Sequence, residues 1–345
     1  MKWLKAALAA VVLALISLPL QATSVSPPIA RIVAAADAFL ATLDDTQRKK
    51  IIYTFNDADQ RARWSNLPVA MVPRGGISLK DMTAPQKAAA LKLLATTLSP
   101  AGYEKVQQIM EGDEINQQQS GRRNSSAPMF GRDLFYLSML GKPSEKTPWI
   151  LQFGGHHLAL NITLVGERGV LTPTLTGAQP AIYRLADKTI RPLKGESDKA
   201  LALLKSLDAK QRSQAILGYR VANLVLGPGE DGKTIEPEGL KATDMTASQR
   251  TMLLDLISEW TGILEADAAA ARMTEMKSDL NDMWFAWSGP TEVEAGSNVT
   301  AYYRIQGPHL VIEYAPQRLG NDPSMHVHTM YRDPTNDYGR RLTTK

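Results

Sequence analysis

Cysteine is absent from all 345 residues. That excludes disulfides, thiolate-ligated metals, a thiol nucleophile and a Cys-linked lipid anchor. Histidine is scarce, with five in the chain. No dense run of Lys or Arg occurs, so nucleic acid is not an expected partner. There is no Gly-x-Ser-x-Gly elbow, no Walker loop, no dinucleotide fingerprint and no His-Glu-x-x-His. Long apolar runs are missing too, except at the start. Lys2 and Lys5 precede an apolar run from Ala6 to Leu20, and Pro19 and Ala22 follow the pattern of a cleavage region. This reads as a secretory signal peptide over residues 1–22, since the run falls short of the ~20 residues that span a bilayer. The mature protein is therefore expected to be exported to a periplasmic or extracellular space, soluble, and without a membrane partner after cleavage. Removing Lys2 and Lys5 from 39 basic residues leaves 37 against 35 acidic ones, a charge of about +2.

What is present is a repeating order of signals. Ile32, Val33, Ala36, Phe39, Leu40 and Leu43 recur at helical spacing. Asp44–Gln47 and Thr83–Gln86 are capping boxes, the second opening a helix to Leu98 and the first a helix to about Phe55. Ser99-Pro100 is an N-cap followed by Pro at the first helical position, with a helix to about Gln118. From Arg132 the pattern turns to strands, with a hairpin at Val165–Val170 and a Pro- and Gly-containing loop over Thr172–Pro180. Leu40–Ile51 is then echoed by Leu204–Ala215, Asp81–Gln86 by Asp244–Gln249, and His157 by His309. Ordered echoes at this spacing imply two copies of a domain-sized unit. The expected fold is α+β, internally duplicated. Each half, 23–195 and 196–345, is helices followed by antiparallel strands, and the halves join about a pseudo-two-fold in one compact unit.

The candidate site starts from Trp149–Thr163. Read as one alternating strand, it puts His157, Ala159 and Asn161 on one face. His156 falls on the apolar face, as a hydrogen-bonded core histidine. The echo puts His309, Val311 and Glu313 on one face. His326-Val327-His328 is a His-x-His, whose rings share a side on a strand. Imidazole suits zinc, copper, iron and nickel. His157, His309, His326 and His328, with Glu313, thus form the candidate ligand set for a divalent transition metal, zinc foremost, with water activation as its chemistry. Glu313, Asp333 and Arg74 are the candidate catalytic groups, Asp333 as an orienter of an imidazole and Arg74 as an anion clamp. Trp64, Asn66 and Asn161 are the candidate substrate contacts.

The corresponding function is an exported metal-binding protein, a metal-dependent hydrolase acting on a small-molecule or polymer-derived substrate. Its rival is a non-catalytic protein that holds a small ligand in a pocket walled by Trp64, Trp149 and Trp287. A third reading makes the histidines hydrogen-bonded members of a buried seam.

The motifs together resemble the DUF3500 family of often exported proteins. The resemblance rests on Trp64–Pro68 with Arg74-Gly75, on Leu98–Tyr103, and on Gly155–Leu158 through Asn161. It continues in Phe285–Trp287, Tyr303–Ile305, His326–His328 and Arg332–Pro334. It covers nearly the whole mature chain, and it implies no activity.

Overall fold

The computed structural model describes residues 28–120, 128–318 and 322–343. The expected signal peptide lies outside the described residues. None of the described helices is long and apolar enough to cross a membrane.

The first part of the chain carries helices α1 (Pro28–Ala41), α2 (Asp45–Ile51), α3 (Ala58–Arg61), α4 (Ala84–Thr97) and α5 (Pro100–Gln119). Strands β1 (Ile52–Tyr53) and β2 (Ile77–Ser78) interrupt them, and β3 (Tyr136–Leu140), β4 (Trp149–Gly155), β5 (Leu158–Val165), β6 (Arg168–Val170) and β7 (Thr174–Ala178) follow. A small hairpin, β8 (Tyr183–Leu185) and β9 (Lys188–Ile190), leads to α6 (Lys194–Ser206) and α7 (Ala209–Ala215). Then come β10 (Leu240–Lys241), α8 (Ala247–Thr261), α9 (Ala266–Ser278), β11 (Trp284–Ser288), β12 (Tyr302–Gly307), β13 (Leu310–Pro316), β14 (Val327–Arg332) and α10 (Arg340–Thr343).

The helix starts obey local chemistry. Asp44, Thr83, Asp208 and Thr246 each close a full capping box with a Gln three residues on. Ser99 caps α5 with Pro100 inside the first turn. The cap glutamines also bond in pairs: Gln47 with Gln86, and Gln211 with Gln249. Helix α2 stops at Ile51 rather than near Phe55, because Ile52 and Tyr53 turn extended to pair with β3.

One sheet of twelve strands carries the chain, in the order β1-β3-β4-β5-β7-β14-β13-β12-β11-β10, with β2 on β3 and β6 on β5. The fold is thus α+β, with a sheet that mixes a parallel β1·β3 pair into antiparallel neighbours. Strands β7 and β14 make the central antiparallel pair. The predicted loop over Thr172–Pro180 is wrong in its middle: Thr174–Ala178 is the central strand β7, fully buried between β5 and β14. Its short run of Thr, Leu and Gly between two prolines carries no alternation that could announce it.

The two faces of this sheet differ. Leu158, Leu160 and Ile162 join Trp149, Phe153, Trp287, Tyr303 and Tyr314 in the large core, packed under Phe39, Leu93, Val106, Leu203, Leu256 and Trp260 of the helices. The opposite face carries a registered row, Ala159, Leu175, Met330, Glu313 and Arg304. Loops close over that face. Trp64 packs on Ala159, Leu175 and Met330. Gln60 donates to Ser138 and Gln152. Val225 and Leu226 donate their N–H groups to the Glu313 carboxylate.

Trp149 and Trp287 therefore sit on the helix side and Trp64 on the loop side. The three tryptophans wall no common pocket.

Candidate metal centre

The stretch from Trp149 to Thr163 is not one continuous strand. It is a tight hairpin in which Gly155 pairs with Leu158 and the two histidines form the turn. His157 takes the third turn position with φ 60°, a left-handed conformation that type II geometry demands and that glycine normally fills. For a residue with a Cβ this costs about 1–2 kcal/mol. Surrounding contacts hold it there. Its N–H donates to the carbonyl of Asn66 at 3.4 Å. His156 lies with its ring centroid 3.6 Å from that of His157, and its Nδ1 is 2.6 Å from Asp113 Oδ1 on α5. His156 is thus a buried, hydrogen-bonded histidine, as its place in the sequence suggested, although it belongs to the turn rather than to an apolar strand face.

The turn hangs over the end of the central strand pair. His328 on β14 is registered opposite Gly177 on β7. A Cβ on Gly177 would stand 3.1 Å from His328 Cδ2 and 3.2 Å from His157 Cδ2, and 2.8 Å from the carbonyl oxygen of Val327. The missing side chain is what allows the two rings to approach across the strand. His326 comes from just before β14, where the 3-10 turn Pro323–Met325 delivers it, and its carbonyl accepts from the N–H of Gln317.

The three rings converge on their Nε2 atoms. His157 Nε2 is 2.9 Å from His326 Nε2, and His326 Nε2 is 3.1 Å from His328 Nε2. One ligand nitrogen from each lies within 4.8 Å of the others, and they are the group found among the described residues that could hold a metal ion. Nitrogens bound tetrahedrally to zinc at ~2.0–2.1 Å stand about 3.3 Å apart, so little movement separates this arrangement from a coordination sphere. Hydrogen bonding alone serves it poorly. The Nε2 of a neutral imidazole offers one N–H or one lone pair, so His326 Nε2 can meet both neighbours only by sharing a single hydrogen or a single lone pair between them.

Protonation does not add the missing hydrogen. The three side chains are 2–4% exposed. Burial first, then neighbouring histidines, holds His157 and His328 well below their ordinary range. Burial, then His156, lowers His326 to about 4. All three are neutral at pH 7, the state in which imidazole ligates a metal. Asn66 supports the set. Its side-chain amide nitrogen lies 3.4 Å from His328 Nδ1. With its carbonyl oxygen turned to that atom, it would accept Nδ1–H and leave Nε2 bare for a metal.

Other residues expected at the site are held elsewhere. His309 lies in the turn between β12 and β13, with Nδ1 2.7 Å from Asp279. Ala315 is registered opposite His328, so His309, six residues back along β13, stands about 20 Å away at strand spacing. Glu313 accepts from Val225, Leu226 and the Tyr302 hydroxyl, and burial raises its pKa. Asp333 closes a turn with Thr335 and pairs with Arg272 at the far end of β14. Arg74 donates to the carbonyls of Ser65, Leu67, Val72 and Gly155, so it ties the Asn66 loop to the histidine hairpin rather than facing a ligand. Asn161 accepts from Gln152 and donates to the Pro173 carbonyl, and Trp64 donates to the Tyr338 hydroxyl. Sequence reading missed Gly177 and Asp113. Nothing local marks either, because each matters only through a distant partner.

A family model described as "Protein of unknown function (DUF3500)" matches residues 26–340. The chain belongs to the DUF3500 family. This DUF3500 chain matches no curated protein and no solved structure, so its chemistry rests on the geometry above.

Two outcomes follow from that geometry. Gly177→Ala is expected to weaken metal binding at least tenfold and to lower stability by about 1–3 kcal/mol through overpacking, read by metal titration and denaturant unfolding. Unchanged affinity would mean that the rings do not meet over Gly177. The second outcome concerns pH. Folded-state pKa values below the unfolded one mean that the unfolded chain takes up protons first. The metal-free wild type should therefore lose stability as pH falls from 6.5 towards 4, and faster than His326→Gln. Parallel loss in both proteins would contradict the lowered His326 pKa.

Proposed function

We propose that this DUF3500 protein is an exported metal-binding protein that holds a divalent transition metal, zinc foremost, on His157, His326 and His328, and that it acts as a metal-dependent hydrolase. The observation that carries the reading is the convergence of three buried, neutral imidazoles on one point. His157, His326 and His328 would hold the ion, and a metal held by three protein ligands would supply Lewis acidity and water activation near neutral pH. The chain's own residues fix the ligands. Asn66 orients His328, the Asp113–His156 pair backs His157, and Arg74 locks the hairpin to the Asn66 loop. The substrate would be a small molecule or a polymer-derived piece, and export would follow from the segment 1–22.

We also propose that the two halves, 23–195 and 196–345, are copies of one unit. Two features support this: the paired cap glutamines recur in both halves, and in each half successive strands of the path run from a sheet edge to the centre. The metal centre would then lie where the copies meet, at β7 and β14.

A second reading, a non-catalytic exported protein that binds a small ligand, draws on one observation. Glu313 and Asp333, the carboxylates expected to handle protons, are engaged away from the histidines. Elemental analysis of the purified mature protein, before and after loading with zinc, tests the metal on which the hydrolase reading rests. A content far below about one ion per chain after loading would sink both the hydrolase and the metal.

A further inference from the structure

A second site lies on the other face of the sheet. Tyr331 is three residues along β14 from His328, about 10 Å at strand spacing, and it alternates to the helix side with the core residues. Beside it a cavity of about 170 Å³ opens between β6, the segment Leu171–Thr172, the end of α8, and α9. Its wall is mostly apolar, with Val170, Leu171, Leu264 and Ala268. An apolar cavity of ~150 Å³ is large enough to take up benzene.

Two features narrow the ligand. Thr172 and Thr261 line the cavity, are 1% and 2% exposed, and have hydroxyl oxygens with no hydrogen-bond partner. Buried hydroxyls are rarely left so, and leaving one unpaired costs ~1–3 kcal/mol. Of the two cations in the lining, the buried one, Arg272, is already spent. Its guanidinium binds Glu275, Asp333, the Tyr331 hydroxyl and the His309 carbonyl. Arg168, the other cation of the lining, is exposed at the rim beside the exposed Glu167, so the buried part of the cavity presents hydroxyls and no unpaired charge.

We propose that this cavity binds a small uncharged amphiphile, a ring or branched alkyl body of about six to ten heavy atoms that carries one hydroxyl or carbonyl group. The apolar wall takes the body and the Thr172 and Thr261 hydroxyls take the polar group, the division of labour usual in ligand pockets. The site does not involve the histidines, so it stands or falls apart from the metal.

Phenol and toluene are the probes, titrated calorimetrically into the full mature chain with and without chelator. Phenol is expected to bind saturably and at least fivefold tighter than toluene, unaffected by chelator. Thr172→Val/Thr261→Val should bring phenol down to the toluene level. Ala268→Phe, which fills the cavity, should abolish both. Intermolecular NOEs from bound phenol to the Leu264 and Val170 methyl groups in the wild type locate the site without any variant. No saturable binding of either probe, or NOEs to other methyl groups only, overturns the proposal. Equal affinity for phenol and toluene overturns its polar half.

Discussion

Replacing His328 with alanine is expected to empty the metal centre. The wild type should hold about one zinc per chain after loading, and His328→Ala should hold close to none, with affinity reduced by more than about 100-fold. The size follows from what the ligand does. Mutating even the partner of a ligand costs 10–100-fold, and here one of the three ligands is itself lost. Stability reports the same event. Zinc at a thousand times its Kd stabilises the folded state by about 4 kcal/mol, so chelation should lower the wild-type melting temperature and leave His328→Ala unmoved. His309→Ala is the control. That ring is paired with Asp279 at the far end of β13, and its loss should leave the metal content intact. Equal zinc in all three proteins would show that the triad is only a buried polar seam.

Arg332→Met should be the most destabilising single change outside the metal centre. Arg332 is buried, and its guanidinium reaches four partners: the carbonyls of Leu226 and Gly227, and the carboxylates of Asp231 and Asp337. It also lies 5.5 Å over the Trp64 ring. One side chain thus ties the long loop before β10, the C-terminal turn and the Trp64 loop to the sheet. Removing one member of a buried ion pair costs about 3–5 kcal/mol, because the other charge stays buried alone. The denaturant midpoint should fall accordingly, and a loss below about 1 kcal/mol, the ordinary size of a surface pair, would show that the loops are held by other contacts. Arg332→Lys should recover only part of it, since an ammonium cannot reproduce the planar fork.

The pH dependence has a definite sign. Burial, opposed by Arg332, already raises Asp337 to about 6. Without Arg332 it rises further, so the folded variant gains a proton as pH falls, and the gap between variant and wild type should narrow from pH 8 to pH 5. A gap that widened on acidification would assign the loss to something other than Asp337.

The loops over the polar face carry residues whose types suggest a site and whose contacts hold the fold. Arg74, Asn161 and Trp64 have the residue types of a binding site, yet each bonds to main-chain or side-chain partners that hold those loops down. Arg74 keeps its place beside the histidine hairpin as a brace. Its burial lowers its pKa to about 10, a group screened from solvent rather than one presented to it.

The sequence by itself determined whatever is local. A cap is a bond across three residues, so Asp44, Thr83 and Ser99 announced helices that begin where expected. The alternation of β14 likewise put His328 on a single predictable face, and the absence of cysteine left imidazole as the metal ligand to look for. The tertiary structure alone decided the rest. Nothing in Trp149–Thr163 revealed that its histidines form a turn, since residue pattern does not distinguish a strained His at φ 60° from one in a strand. His157 and His326 are 169 residues apart and meet only because β7 and β14 pair at the centre of the sheet, with Gly177 leaving room between the rings. His309, which repeats the pattern of His157, was excluded by the same pairing. Register fixes which end of a strand reaches a site, and register is a property of the assembled sheet.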